Sequence, residues 1–420
     1  MNIFDTILQT LNLGLLYQQV TTTLTVFFSW FPYWGPLFLG YLFLHQWLHY
    51  VQHRYISNMK WVMLEIKLPK ETFKSPLAME IVFGALYQGA AGIVWWDKWW
   101  KGKVKDYFSL EMVSIEGHIK FFIRTPAVYK NVIEAQLYGQ YPDVEIYEVP
   151  DYTLYVDYKG QEGEWESVSA EYVLSKADPY PIKTYVDYGL DKDPKEEFKI
   201  DPLTSVIEYL GSMGKGEQVW IQILVQSASK HHYHVKTGKN KGKIGTWQDE
   251  GKDLIAELAG RTKENDPDAK FQVMKLTKGE QEAISAIERS LGKLGFDAGV
   301  RAVYVAKRDK FHPGNMKALG GLWRPFSSTN LNGFKMSEQT FGFDYPWQDY
   351  KNIRVTKKRL EVFESYKHRM WFNVPRKLKT CTLTTEELAT IYHFPGGVAQ
   401  TPTFGRITSS KSEAPVNLPI

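Results

Sequence analysis

The N-terminal part of the chain is apolar over an unusual length, because no Asp, Glu, Lys or Arg occurs in residues 6–53. Within this stretch, residues 24–44 are almost wholly aliphatic or aromatic. A helix needs roughly 20 such residues to cross the hydrocarbon core of a bilayer. The pattern therefore predicts that residues 1–58 form an amphipathic segment followed by a membrane anchor, a single transmembrane helix.

The charges that flank this stretch predict its orientation. Arg54 and Lys60 follow the apolar residues directly, whereas only Asp5 precedes them. By the positive-inside rule, the bulk of the chain is expected in the cytoplasm, with the anchor crossing the inner cell membrane once. The single cysteine, Cys381, excludes an intramolecular disulfide and agrees with a reducing compartment.

Beyond the anchor, the alternation of apolar and polar residues predicts short strands interspersed with helices. Helices are expected to begin near Ser75 and Pro126, and strands are expected at residues 61–68, 107–115, 118–124 and 144–149. The order βαββαβ is that of a ferredoxin-like unit, an antiparallel sheet with two helices on one face. Residues 59–150 are therefore predicted to form a first ferredoxin-like domain.

The rest of the chain is predicted to repeat this architecture after an interruption. Prolines break the pattern in residues 151–217, which we interpret as an extended connector. Residues 218–380 are predicted to form a second, elaborated α+β domain, in which Thr277 and Glu280 form a capping box. A short helix and a Pro-rich tail are expected in residues 381–420. The predicted fold class is α+β, a transmembrane helix followed by tandem ferredoxin-like cytoplasmic domains.

Tryptophans are concentrated near the apolar stretch and in one later cluster. Residues 95–103 (WWDKWWKGK) place indoles beside lysines, a combination typical of lipid headgroup depth. A lipid bilayer is therefore a predicted partner, and the alternative is an aromatic cluster packed between domains. The residues expected at the membrane interface are Trp30, Trp34, Trp47, Trp95, Trp96, Trp99 and Trp100.

Residues 351–379 are rich in Lys and Arg, with aromatic residues interleaved and only two Glu opposing them. Such a stretch suits phosphate contacts with DNA or lipid, although a basic run is more often a solvated helix face. The net charge of +4 is mildly basic and does not itself require nucleic acid. The candidate phosphate or partner contacts are Arg354, Lys357, Lys358, Arg359, Lys367 and Arg369.

The sequence contains no motif that predicts catalysis. Two Gly/Lys-rich segments, residues 211–216 and 238–243, lack the G-x-x-x-x-G-K-[ST] spacing that cradles phosphates at a helix N-terminus. Nucleophile-elbow and metalloprotease motifs are also missing from the sequence. The protein is therefore predicted to be a non-enzyme with no cofactor or metal.

Several long phrases carry a resemblance to a known family. They are LEIKLPKETFKSPLAMEIVFGALY (64–87), IEAQLYGQYPDVEIYEV (133–149), GEQVWIQILVQS (216–227) and LTTEELATIYHFPG (383–396). Together they resemble the N-terminal region of membrane-anchored conjugative DNA-transfer ATPases. The resemblance extends to the uncharacterised domain that accompanies such ATPases in type IV secretion-like loci of candidate-phyla bacteria.

The resemblance implies a non-catalytic membrane subunit that scaffolds a motor. In the fused relatives a P-loop motor follows the HFPG-like segment, whereas this sequence has no Walker residues there. The expected partner is therefore a separately encoded P-loop ATPase of the conjugative coupling class. The alternative is a membrane-tethered nucleic-acid-binding adaptor that contacts DNA, and self-association into a homo-oligomer stays open. The candidate ATPase-docking residues are Glu386, Glu387, His393 and Phe394.

Overall fold

The chain folds into two compact units. The computed structural model describes residues 13–69, 74–87, 93–192, 200–228, 233–234, 244–259, 277–343, 345–373 and 376–395. The first unit comprises Met1–Asn58 and Ile93–Val104 and is called the helical unit below. The second comprises Met59–Gly92 and Lys105–Ile420 and is called the sheet unit. The first part of the predicted amphipathic segment and the predicted Pro-rich tail lie outside the described residues.

The described residues of the helical unit form two helices and one tryptophan-rich turn. The helices are α1 (Leu13–Ser29) and α2 (Phe31–Asn58). A π-helical turn at Asp97–Lys101 packs against α2, where the indole of Trp47 donates to the carbonyl of Trp99 at 2.9 Å. Gly102 ends this turn with a φ of 67°, and a Cβ there would lie 2.1 Å from the carbonyl oxygen of Val51. Only glycine permits this close approach of the turn to α2.

The predicted transmembrane helix is wrong. Within the described residues, none of the helices is both long and apolar enough to cross a membrane. The apolar residues 24–44 are divided between α1 and α2, because the first helix ends before Trp30. Pro36 lies inside α2, and the second half of that helix carries histidines and glutamines. The predicted single-pass location in the inner membrane is wrong for the same reason.

Within the described residues, the sheet unit contains one nine-stranded antiparallel sheet and a separate two-stranded ribbon. The strands are β1 (Trp61–Lys67), β2 (Phe108–Ile115), β3 (His118–Pro126), β4 (Glu145–Val149), β5 (Trp165–Leu174), β6 (Glu217–Ser227), β7 (Tyr233–His234), β8 (Ile244–Gly245), β9 (Gly295–Lys307), β10 (Phe334–Gln339) and β11 (Cys381–Thr384). Their order in the sheet is β10-β5-β9-β6-β2-β3-β1-β4, with β11 paired to the start of β9 and β7 paired to β8. The sheet therefore joins strands from the whole length of this unit.

Eight helices flank or connect these strands. They are α3 (Pro76–Leu86), α4 (Lys130–Gln140), α5 (Leu203–Gly211), α6 (Trp247–Leu258), α7 (Lys278–Leu291), α8 (Pro313–Ala318), α9 (Ile353–Lys367) and α10 (Thr385–Ile391), all within the described part of the sheet unit. The predicted capping box is present at the start of α7, where Thr277 and Glu280 bond reciprocally. Pro76 lies in the first turn of α3, where the backbone N–H that proline lacks would have no hydrogen-bond partner within the helix.

The prediction of tandem ferredoxin-like domains is also wrong. β2 and β6 pair antiparallel along their lengths, so the strands of both predicted domains form one continuous sheet. The predicted connector, residues 151–217, contributes β5 to the interior of that sheet. A single apolar cluster covers one face, and it includes Leu64 of β1, Ile221 of β6 and Leu388 of α10. The protein is α+β, as predicted, but its strands form one sheet with a shared core and not two ferredoxin-like domains.

The opposite face of the sheet is covered by α9 and the segment that follows it. Trp220 of β6 packs there with Phe363 and Tyr366 of α9. Trp371 lies over Gly299 of β9, where a Cβ would come within 2.2 Å of the indole. Polar side chains that point to this face are consequently buried between the sheet and α9.

Candidate functional site

A row of polar and charged side chains crosses the sheet on the face that α9 covers. Glu111 of β2 lies opposite Gln222 of β6, which lies opposite Arg301 of β9. Arg301 in turn lies opposite Glu171 of β5. All four residues, which we call the polar row, are buried. Because a buried charge is costly unless it is paired, the partners of this row determine whether the sheet is stable.

Glu111 accepts hydrogen bonds from four side chains. Arg369 binds both carboxylate oxygens, with Nε 3.0 Å from Oε1 and Nη2 3.1 Å from Oε2. Tyr152, Gln222 and Ser109 donate at 2.7, 2.9 and 2.5 Å. Burial alone would raise the pKa of Glu111, but the charge and hydrogen bonds of Arg369 outweigh it and lower the pKa to about 2. Glu111 is therefore a firmly ionised, fully paired carboxylate.

Arg369 reaches the row from the turn that follows α9. Its φ of 53° is in the left-handed region, which non-glycine residues enter at a cost of roughly 1 kcal/mol or more. It is buried and pairs with Asp151 as well as Glu111. Burial would lower the pKa of Arg369, yet the charge of Glu111 raises it above the ordinary value. These ion pairs hold the turn in its strained conformation.

Arg301 joins the row to the same covering segment. Its Nε donates to Gln222 at 2.7 Å, and its Nη2 donates to the carbonyl of Ser365 at 2.8 Å. Burial lowers the pKa of Arg301 to about 10. Glu171 instead forms an ion pair with Arg376, whose Nη2 lies 3.2 Å from Oε1. The polar row thus fastens α9 and the following residues to the sheet, and its buried members have no surface on which a substrate could react.

The four candidate docking residues lie inside the sheet unit. Glu386, Glu387, His393 and Phe394 are each 1–3% exposed. Glu387 caps its own helix, accepting from the backbone N–H of Thr384 at 2.8 Å, and burial raises its pKa to about 7. The structure therefore gives a partner no direct access to these side chains.

Two internal ion-pair groups surround that C-terminal segment. Lys293 contacts Glu80 at 2.6 Å, and Arg289 contacts Glu386 at 3.1 Å. His393 Nε2 lies 3.0 Å from Asp201. Burial would lower the pKa of His393, but Asp201 outweighs burial and raises it. These contacts hold the segment after β11 within the core.

The six candidate phosphate contacts fall into two groups, those that already bond to or lie near other protein groups and those whose side chains are exposed. Arg359 pairs with Glu166, and Arg369 is part of the buried network described above. Lys367 donates to a backbone carbonyl at 3.3 Å, and Lys358 lies 3.9 Å from a carboxylate. Arg354 and Lys357 have exposed side chains at the start of α9. A phosphate-binding role is thus open mainly to the N-terminal end of this basic stretch.

The structure brings most of the predicted interface tryptophans together in the helical unit. Trp96 and Trp100 stack with ring centroids 5.5 Å apart, and Trp100 also contacts Trp47. Those with the most exposed side chains are Trp30, Trp95, Trp96 and Trp100, whereas Trp34, Trp47 and Trp99 are half-buried. Their contact with a lipid headgroup layer stays a prediction.

One exposed feature was not selected from the sequence. Residues 343 and 345–350 follow β10, and several of their aromatic side chains are exposed to solvent, with Trp347 77% and Tyr350 74% exposed. The sequence feature that could have indicated these exposed aromatic residues is their density immediately before the basic stretch. Hydrophobicity alone could not identify it, because aromatic residues are more often buried than exposed.

These features define an α+β protein with one large antiparallel sheet, internally paired charges and a separate apolar helical unit. Residues 91–406 match a family described as a domain of unknown function, DUF8128, and the chain belongs to this family. No curated protein matches the chain. Because the family description assigns no activity, the resemblance to conjugative ATPases stays a prediction.

Proposed function

We propose that this chain is a non-catalytic scaffold subunit of a conjugation-like or type IV secretion-like export machine. In this role it holds a separately encoded P-loop ATPase in position. The proposal rests on the phrases that resemble conjugative ATPase-associated domains and on one surface of the helical unit. It does not include a membrane-crossing helix.

The observation that carries the proposal is the apolar surface of α2. Residues 36–44 are exposed on every side of the helix, although they are almost wholly apolar or aromatic. Leu37 is 76% exposed, Tyr41 66% and Leu44 50%. A helix that is apolar all round normally lies inside a larger assembly, and large exposed apolar patches mark interaction sites. We propose that another subunit of the machine covers this surface.

The sheet unit supports a scaffolding role in a different way. Its buried carboxylates and guanidinium groups bond to one another across β2, β6, β9 and α9. Such a network stabilises one arrangement of the strands and the covering helix, which suits a rigid platform. A scaffold needs this rigidity in order to present a partner in a fixed orientation.

The test is isolation of the tagged full chain from its native host under mild conditions, followed by mass spectrometry of the proteins that accompany it. We expect a P-loop ATPase in near-stoichiometric amount and no ATP hydrolysis by the purified chain alone. ATP hydrolysis by the chain itself, or its isolation without any ATPase, would refute the proposal.

A nucleic-acid-binding adaptor is the second candidate function. It is favoured by the exposed side chains of Arg354 and Lys357, which lie beside exposed aromatic residues. An adaptor and a scaffold are distinguishable, because only the adaptor requires direct binding of nucleic acid by this chain. The surface that would carry such binding is defined next.

A further inference from the structure

Exposed aromatic rings and cations meet on one side of the sheet unit. We define the aromatic–basic surface by six residues, namely Tyr345, Trp347, Tyr350, Lys351, Arg354 and Lys357. The rings of Tyr345 and Trp347 stack with centroids 4.7 Å apart and an interplanar angle of 12°. Trp347 and Tyr350 are each about three-quarters exposed, at 77% and 74%. Exposed indole and phenol faces of this kind are platforms on which a planar ligand can stack.

Hydrogen bonds to one buried and one exposed side chain fix the backbone beneath this surface. Asp349 is 6% exposed, and its carboxylate accepts the backbone N–H groups of Arg354 and Val355, each at 2.8 Å. Gln161 donates to the carbonyl of Lys351 at 2.9 Å. The backbone at Lys351 and Arg354 is therefore fixed before any ligand arrives, which reduces the backbone entropy lost on binding.

The charged residues of the aromatic–basic surface are all cationic, although Asp344 and the buried Asp349 adjoin its rings along the chain. Residues 350–360 (YKNIRVTKKRL) contain several Lys and Arg and no Asp or Glu. The Lys351 ammonium lies 5.3 Å from the centre of the Tyr350 ring, so one cation directly borders an exposed aromatic face. Arg359, further along α9, is already paired with Glu166. Arg354 donates from Nη1 to the carbonyl of Gln348 at 3.1 Å and lies 5.0 Å from the centre of the Phe343 ring, and neither partner neutralises its charge.

We propose that the aromatic–basic surface binds single-stranded nucleic acid, with bases stacking on Trp347 and Tyr350 and phosphates contacting Lys351, Arg354 and Lys357. Proteins that bind single strands combine a positively charged track with aromatic platforms in this way. Base stacking needs unpaired bases, so a duplex should bind less tightly than a single strand. This inference rests on the second candidate function, the nucleic-acid-binding adaptor, and names its ligand; it does not depend on the presence of an ATPase, so its failure leaves the scaffold role untouched.

The chemistry of the surface favours a polyanion over a protein partner. Protein-binding hot spots also contain Trp, Tyr and Arg, but they lie within a patch whose centre is depleted of charge. Here Lys351 directly follows Tyr350, and Arg354 and Lys357 follow within seven residues, which complements a phosphate backbone. A single strand supplies both the planar groups and the regularly spaced anions that this arrangement can contact.

The test is fluorescence anisotropy with the full chain and a labelled 20-nucleotide oligothymidine, measured over a series of salt concentrations. W347A/Y350A should weaken binding by roughly 30-fold or more, because stacking is worth about 1–3 kcal/mol per base and two rings are removed. K351Q/K357Q should flatten the dependence of log Kd on log salt, by about 0.7 for each phosphate that no longer meets a cation. A duplex of the same length should bind more weakly than the single strand.

Matched variants control for surface aromatics and surface charge elsewhere. Tyr155 is 74% exposed, and Lys192 and Lys317 are exposed lysines on the same unit. Y155A and K192Q/K317Q should leave Kd unchanged within about twofold. The inference is overturned if oligothymidine fails to bind at low salt, or if W347A/Y350A binds as tightly as the unaltered chain. It is also overturned if the same variants impair binding to a protein partner while oligothymidine binding persists unchanged.

Discussion

At the scale of single residues, the charge on Glu111 organises the buried face of the sheet. Its two oxygens bind Arg369, whose turn closes α9 over the strands. Removing one member of a buried ion pair leaves the other charged and without its partner, which typically costs 3–5 kcal/mol. The stability of the sheet unit should therefore be unusually sensitive to this carboxylate.

Glu111→Gln is expected to lower the free energy of unfolding by about 3–5 kcal/mol, because the amide cannot neutralise Arg369. The measurement is urea denaturation at pH 7 followed by circular dichroism. Glu148→Gln is the matched control, since Glu148 belongs to an exposed ion pair with Lys130 and should leave stability nearly unchanged. Equal midpoints for the two variants would show that the buried pair does not stabilise the fold.

The same carboxylate predicts how stability depends on pH. Its pKa in the folded chain, about 2, lies below its ordinary value of 4.5. Its stabilising contribution is thus complete above pH 4.5 and is lost as the pH falls toward 2. A shift of this size corresponds to about 3 kcal/mol. Glu387 acts in the opposite sense, because its raised pKa, about 7, destabilises the folded state increasingly as pH rises from 4.5 to 7.

This acid sensitivity can be assigned by comparing unfolding curves of the unaltered chain and Glu111→Gln between pH 6 and pH 3. The unaltered chain should lose more stability over this interval, so the two should converge as the solution becomes more acidic. Parallel curves would contradict the assignment of the acid-sensitive stability to Glu111.

Local contacts are predictable from the sequence, but the buried network around Glu111 is not. The capping box of Thr277 and Glu280 was predictable, because its two members are three residues apart. Glu111 and Arg369 are 258 residues apart along the chain, and only the strand register and the turn after α9 bring them together. Arg369 was selected as a surface phosphate contact because a basic residue within a basic stretch is usually solvated.

At the scale of elements, the strands were easier to predict than their arrangement. Period-two alternation indicated β1, and the hairpin of β2 and β3 followed from the short turn at Glu116 and Gly117. The pairing of β2 with β6 could not be predicted from local pattern. Both strands are largely apolar, are buried on both faces and lie in the middle of the sheet. Only the structure shows that they pair with each other. Two separate sheets and one continuous sheet therefore looked alike in the sequence.

The start of the family match at residue 91 provides a test at this scale. β1 and α3 precede it, although β1 lies between β3 and β4 and α3 contributes to the main apolar cluster. A fragment of residues 91–406 should fail to fold cooperatively, because β3 and β4 would lose the strand between them. A fragment of residues 59–406 should retain a cooperative thermal transition. Equal transitions in circular dichroism would show that β1 is dispensable.

At the scale of the whole molecule, the helical and sheet units differ in how far they bury their apolar residues. The sheet unit buries residues from both faces of its sheet under helices and connecting segments. In the helical unit, α2 leaves residues 36–44 exposed. The sequence correctly indicated that this stretch is exceptional, but apolar composition does not distinguish a membrane span from a helix that a partner covers.

The most direct test of the scaffold is quantitative co-purification of the ATPase with a surface variant of the full chain. Leu37, Tyr41 and Leu44 lie on α2 at helical spacing, and all three are exposed. The variant replaces each of them with Gln, and the matched control replaces Val128, Leu154 and Tyr155, which are exposed apolar or aromatic residues of the sheet unit. The amount of P-loop ATPase recovered per chain is then measured by mass spectrometry. We predict that the α2 variant loses most of the ATPase while the control retains it; equal recovery from both would contradict the account.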